Sequence, residues 1–139
     1  IKNVPIDPDF DPTEAMSAQV VDLVVAREAV DRVVVSSFGL AAIDAVRERG
    51  AGIATGWLTL VAYDQLRALD TVVERGHNAL HPYFTAVTAE LVDAAHDAGV
   101  AIYTWTVDDP EDMRRLADLG VDAIITNDVA TAVRVLRQA

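Results

Sequence analysis

The sequence has no cysteine, which excludes a disulfide framework, a thiolate metal site and a cysteine nucleophile. It is short of basic residues: 11 Lys and Arg stand against 22 Asp and Glu, a formal net charge of −11. Nucleic acid is excluded as a partner, because phosphate contacts need clusters of Lys and Arg and none occurs. No apolar run reaches 18 residues, so no transmembrane segment is expected. The most apolar stretch, 20–30, is broken by Asp22, Arg27 and Glu28. No secretory leader pattern is visible; the compartment stays open, with the cytoplasm favoured. No G-x-G-x-x-G occurs, so a dinucleotide fold lacks its phosphate loop.

What is present is apolar and ordered. Hydrophobic residues make up 52% of 139, enough for one domain with a sizeable core and too many for a disordered chain. Three of the five prolines fall in 5–12, which reads as a loop. A helix is expected from about Thr13 to Val30, with Met16, Val20, Leu23 and Val24 as its buried stripe. Val33 to Val35 reads as a strand covered on both faces. Leu40, Ile43 and Val46 mark a helix before Gly50, and 52–58 a second strand. Tyr63, Leu66, Leu69 and Val73 mark a helix closed by Gly76.

His77 to His81 reads as a short strand or an extended loop. Thr88 caps a helix over 89–98, with Val87 stapled to Val92. Ala101 to Trp105 is a strand. Asp109-Pro110-Glu111 starts a helix with a capping acid, Pro at its first position and an acid against its positive end. Ala123 to Thr126 is the last strand, followed by a helix with Val129, Ala132, Val133 and Leu136 inward.

Strands alternating with helices predict a parallel sheet with right-handed crossovers. A complete (β/α)8 barrel takes ~250 residues, and this chain has roughly half. Half a barrel leaves sheet edges unpaired. Ile1 to Pro5 reads as the end of a strand entered midway. The expected fold is therefore α/β, a partial barrel whose opening strands are missing or supplied by a partner chain.

Three segments together carry a resemblance: Ile1-Lys2, Val35-Ser36-Ser37-Phe38, and Trp105-Thr106-Val107-Asp108 followed by the run from Gly120 to Asn127. In that order they resemble the C-terminal half of the glycerophosphodiester phosphodiesterase family. The resemblance implies a TIM barrel spanning 1–139 as its C-terminal part. It implies hydrolysis of a glycerophosphodiester to sn-glycerol 3-phosphate and an alcohol. A Ca²⁺ or Mg²⁺ ion neutralises charge on phosphorus and two histidines move protons. Both catalytic histidines and the first metal carboxylates belong to the family's opening strands. The last metal Glu would stand just before Ile1. No catalytic residue or metal ligand is therefore expected within these residues.

The same resemblance assigns four substrate-binding candidates. Lys2 matches the Lys after the metal Glu and would face the phosphate; otherwise it is a solvated lysine. Phe38 is pocket wall or a core aromatic under a loop. Trp105 would line the site with its apolar face and single donor, or be a core Trp. Asn127 stands where the family more often has Asp, and its other role is a helix cap with Asp128. Asp108 replaces the usual Asn and could belong to the cap of the next helix. Ser37 is expected to cap the helix that follows it. His77 and His81 are four apart, but Pro82 argues against the helix a zinc pair would need; His81 is expected instead near the pocket mouth. A second function stays open: a non-catalytic half barrel that acts only by binding or assembly.

Overall fold

The computed structural model describes residues 1–137. Its elements are α1 (Ala15–Ala26), β1 (Val34–Ser37), α2 (Leu40–Glu48), β2 (Ala54–Thr59) and α3 (Gln65–Arg75). They continue with β3 (Ala79–Pro82), α4 (Ala89–Asp97), β4 (Ala101–Thr104), α5 (Pro110–Asp118), β5 (Ala123–Ile124) and α6 (Val129–Leu136). The five strands lie in chain order, β1-β2-β3-β4-β5. Every pair is parallel. The architecture is thus the expected α/β alternation of a partial barrel.

Local chemistry sets the element ends. Asp109 accepts the amides of Glu111 and Asp112, with Pro110 opening α5. The Thr88 hydroxyl accepts from Leu91 at the start of α4. Val87 and Val92 are buried in one cluster, as the staple requires. Asp64 caps α3, and Gly76 closes it at φ 70°, a backbone that costs glycine nothing.

The buried faces of three helices differ from those the spacing suggests. In α1, Ser17, Val21 and Val24 face the core, while Met16 and Leu23 are exposed. That helix is apolar almost all round, so packing rather than composition chooses its face. It also starts later and ends earlier than expected. Asp11 takes the Thr13 and Ala15 amides before it, and a separate 3-10 turn, Val30–Arg32, follows. In α3 the core residues are Ala68, Leu69 and Val72; Leu66 and Val73 are exposed, and Tyr63 precedes the helix. In α6 Ala132 and Val135 are buried, but Val129, Val133 and Leu136 are exposed. With Ile124, Ile125 and Thr126 they line an open apolar cavity of about 530 Å³ along the β5 edge. A stripe at core spacing has no second layer there.

The main core joins α3, α4, α5 and α6 to β3 and β4 through fully buried Leu80, Leu91, Ile102, Met113 and Leu116. A smaller cluster joins α1, α2 and β1 through Val21, Val35 and Val46, with Ile1 packed against it. Between them, at the amino end of the sheet, His77 is buried. Its Nδ1 lies 2.9 Å from Thr55 Oγ1 and its Nε2 3.1 Å from Asp44 Oδ1. Arg75 reaches the same carboxylate. The order Thr-His-Asp looks catalytic, but Thr55 is 1% exposed, and that end of a barrel serves stability. His77→Leu strands the Thr55 hydroxyl and leaves the Asp44 carboxylate with Arg75 alone. We expect a loss of about 1–3 kcal/mol in urea unfolding at pH 7.

Candidate functional site at the carboxyl end of the strands

Side chains alternate between the two faces of each strand. Val35, Leu80 and Ile102 point to the helices. Ser36, His81 and Tyr103, one position away from them, therefore point to the other face. Continuing the alternation puts Phe38, Tyr83 and Trp105 on that same face, just past the ends of β1, β3 and β4.

Phe38 and Trp105 then meet. Their ring centroids are 5.4 Å apart, edge to face. In a flat sheet β1 and β4 stand three strand spacings apart, roughly 14 Å. The contact fits a curved sheet with both rings on its concave side. Tyr83 completes the cluster, 5.3 Å from Trp105. The indole N–H of Trp105 donates to the His81 carbonyl at 2.7 Å, and that of Trp57 to the Phe38 carbonyl at 3.0 Å. Each indole is thus fixed by the backbone of a neighbouring strand.

Lys2 lies at the same end of the sheet. The Ile1 amino group donates to the Ser36 carbonyl at 2.6 Å, and the Asn3 carbonyl closely approaches Gly39. The segment therefore runs beside the end of β1. Ile1 packs outward and Lys2 is exposed. Buried Asn3 holds the acidic loop behind them, exchanging two hydrogen bonds with the Asp11 backbone.

Asn127 sits past β5, and Asp108 holds it. One Asp108 oxygen accepts from Thr126 Oγ1 and the Asn127 amide, each at 2.8 Å; the other accepts from Asn127 Nδ2 at 2.9 Å. These bonds hold the Asp108 carboxyl below its ordinary pKa. Asp108 is therefore a latch between two strand ends rather than part of the α5 cap, which Asp109 makes alone. Asp128, not Asn127, caps α6. Ser37 Oγ accepts the Gly39 amide at the entry to α2, two residues ahead of a true cap, because Gly39 itself occupies the cap position.

The structure thus joins Phe38 to Trp105 directly and places Lys2 and Asn127 on the same end. Among the described residues, no hydrogen bond or ion pair ties Lys2 or Asn127 to that ring pair. Sequence reasoning missed Tyr83 and Tyr103; His81, expected near the pocket mouth, stands one residue before the end of β3. The signal for Tyr103 was present: it stands two residues before Trp105 on the same strand, and so on the same face.

His81 is 3% exposed, and neither ring nitrogen has a hydrogen-bond partner among the described residues. Its ring lies 5.0 Å from that of Tyr103 and occupies the space over Gly56, where any Cβ would collide with it. Burial lowers its pKa from 6.5 to about 4. It is neutral at pH 7. His77 turns instead to Thr55 and Asp44, so the two histidines do not converge. His96 is on the surface, 3.0 Å from Asp122.

Among the described residues, no three His, Cys, Asp or Glu side chains converge to hold a metal. The rim acids Asp108 and Asp128 are engaged by Thr126, Asn127 and Thr131. The described residues by themselves therefore do not supply a site for a divalent cation. No helix among them is long and apolar enough to cross a membrane.

Residues 1–131 match the profile of the glycerophosphoryl diester phosphodiesterase family. The chain belongs to that family. A Caldanaerobacter subterraneus glycerophosphodiester phosphodiesterase is 32% identical over 115 residues, covering 78% of this chain and 44% of its own length. A Silicibacter pomeroyi crystal structure, described as a glycerophosphoryl diester phosphodiesterase, superposes with TM-score 0.85. It is 34% identical over 95% of this chain and 48% of its own. An Oleispira antarctica phosphodiesterase, solved with the product sn-glycerol-3-phosphate, shares the fold at TM-score 0.71 and 16% identity, over 92% of this chain and 53% of its own. The family member described here therefore spans about half the length of the relatives it matches.

Proposed function

We propose that this chain is the C-terminal half of a glycerophosphodiester phosphodiesterase barrel and supplies one wall of its pocket. The reading rests on one observation above others: Phe38 and Trp105 meet across a curved parallel sheet, at the end where such barrels carry their chemistry. In this reading the two rings wall the glycerol and alcohol portions of the diester. Lys2 is a point charge for the phosphate, which matters in a chain of net charge −11. Asn127, turned by Asp108, offers its amide at the far side of the mouth. The Ca²⁺ or Mg²⁺ that the resemblance implies belongs to residues outside this chain, as do the proton-transferring histidines.

The test uses glycerophosphocholine as substrate. The 139 residues alone are expected to give no turnover with either cation. A chimera carrying the unmatched part of the Caldanaerobacter subterraneus protein ahead of Ile1 is expected to release sn-glycerol 3-phosphate. Its activity should vanish with a chelator. Robust turnover by the short chain would show that the catalytic groups lie within it.

A second reading is a half barrel that only binds or assembles, favoured by the net charge of −11, which without a metal disfavours an anionic ligand. A chimera that folds as one unit yet turns nothing over would select it.

A further inference from the structure

An ionised carboxylate only accepts hydrogen bonds, whereas a side-chain amide donates from nitrogen and accepts at oxygen. That difference fixes Asn127. Asp108 Oδ1 takes the Thr126 hydroxyl and the Asn127 backbone amide, and Oδ2 takes Asn127 Nδ2 at 2.9 Å. Turned the other way, Asn127 would set its own oxygen against a carboxylate oxygen, acceptor against acceptor. The amide therefore has one orientation, with Nδ2 towards Asp108 and Oδ1 away from it. Among the described residues, no group donates to that Oδ1.

The face it looks onto follows from β5. Ile124 packs into the helix-side core, so alternation puts Ile125 and Asn127 on the opposite face. Phe38 and Trp105 share that face, and Asn127 is exposed on it. A phosphate oxygen is itself an acceptor and gains nothing from Oδ1; a hydroxyl can donate to it. In a glycerophosphodiester the glycerol hydroxyls are the donors present whatever the alcohol. The terminal one lies farthest from phosphorus, and Asn127 stands past the strand end, at the rim.

We propose that Asn127 Oδ1 accepts a hydrogen bond from the terminal hydroxyl of the glycerol portion, and that Asp108 is the positioning residue that turns the amide to do so. This rests on the pocket reading above and deepens it, by assigning Asn127 to the glycerol rather than to the phosphate. The latch can be reversed without loss. Exchanging the two residues, Asp108→Asn with Asn127→Asp, keeps three hydrogen bonds, the net charge and an acceptor facing the mouth.

The experiment compares two substrates in the chimera described above: glycerophosphocholine and its analogue built on propane-1,2-diol, which lacks only the terminal hydroxyl. The wild type should favour the first by about tenfold in kcat/KM, the worth of one hydrogen bond. Asn127→Ala should bring that ratio close to one. Asp108→Ala frees the amide to turn and should lower the ratio, chiefly through KM; the exchanged pair should restore it. A purely structural Asp108 would depress both substrates together and leave the ratio as it was. In the 139 residues alone, one Asn127 Nδ2 proton should exchange slowly with solvent, and quickly in Asp108→Ala. Fast exchange already in the wild type overturns the orientation. A wild-type ratio near one, or a ratio that Asn127→Ala leaves intact, overturns the inference and leaves the pocket reading standing. No turnover of either substrate by a folded wild-type chimera overturns both.

Discussion

Between pH 6.5 and pH 4 the folded chain is expected to lose about 3 kcal/mol of stability through His81 alone. The unfolded chain takes up a proton on this imidazole near 6.5, whereas the fold holds its pKa at about 4. In that window the unfolded state binds more protons, so stability falls as pH falls. The loss is complete once the pH is below about 4. His77 contributes in the same direction, because burial lowers its pKa against the pull of Asp44. Urea unfolding across this range checks the expectation. The wild-type slope should be steep and that of His81→Leu much shallower. Parallel slopes would mean that the buried ring relaxes into solvent before it titrates.

The second large effect is at Trp105. Replacing it with Ala removes the edge-to-face contacts with Phe38 and Tyr83. It also strips the His81 carbonyl of its indole donor. Loss of a packed Trp costs about 3–5 kcal/mol. The half-buried ring belongs at the lower end, near 3 kcal/mol. Paired with Phe38→Ala in a double-mutant cycle, the coupling should be about 1 kcal/mol. A coupling near zero would mean that the two rings are neighbours without interaction, and the shared pocket wall would lose its physical basis. In an active chimera Trp105→Phe should raise KM more than it lowers kcat, as expected of a wall that binds ground state and transition state alike.

The order of elements was legible because glycine, proline and capping acids punctuate it. Asp109-Pro110, Thr88 and Gly76 each do what their chemistry dictates. The faces of α1 and α6 were not legible, for opposite reasons. α1 is apolar all round, so spacing alone cannot choose a side. α6 has a clean stripe, but Val129 and Val133 find nothing to cover them. Phe38 and Trp105 could be named from the resemblance, yet no spacing in the sequence says that they touch. That contact depends on sheet curvature, which is a property of many residues together. Asp108 was read as cap material because it precedes a helix. Its actual partners, Thr126 and Asn127, lie on the next strand end. His81 was expected near the mouth, but its burial was not legible, because the glycine beneath it is placed only by the register of β2 and β3.

The strands stand in the sheet in the order in which they are synthesised. Each pairs with one that precedes it by only about 20 residues, a short loop to close. A chain emerging from the ribosome can add one strand at a time to a growing edge, without waiting for its far end. Such a sheet can also be lengthened or cut at a βα boundary with little change to the pairings already made.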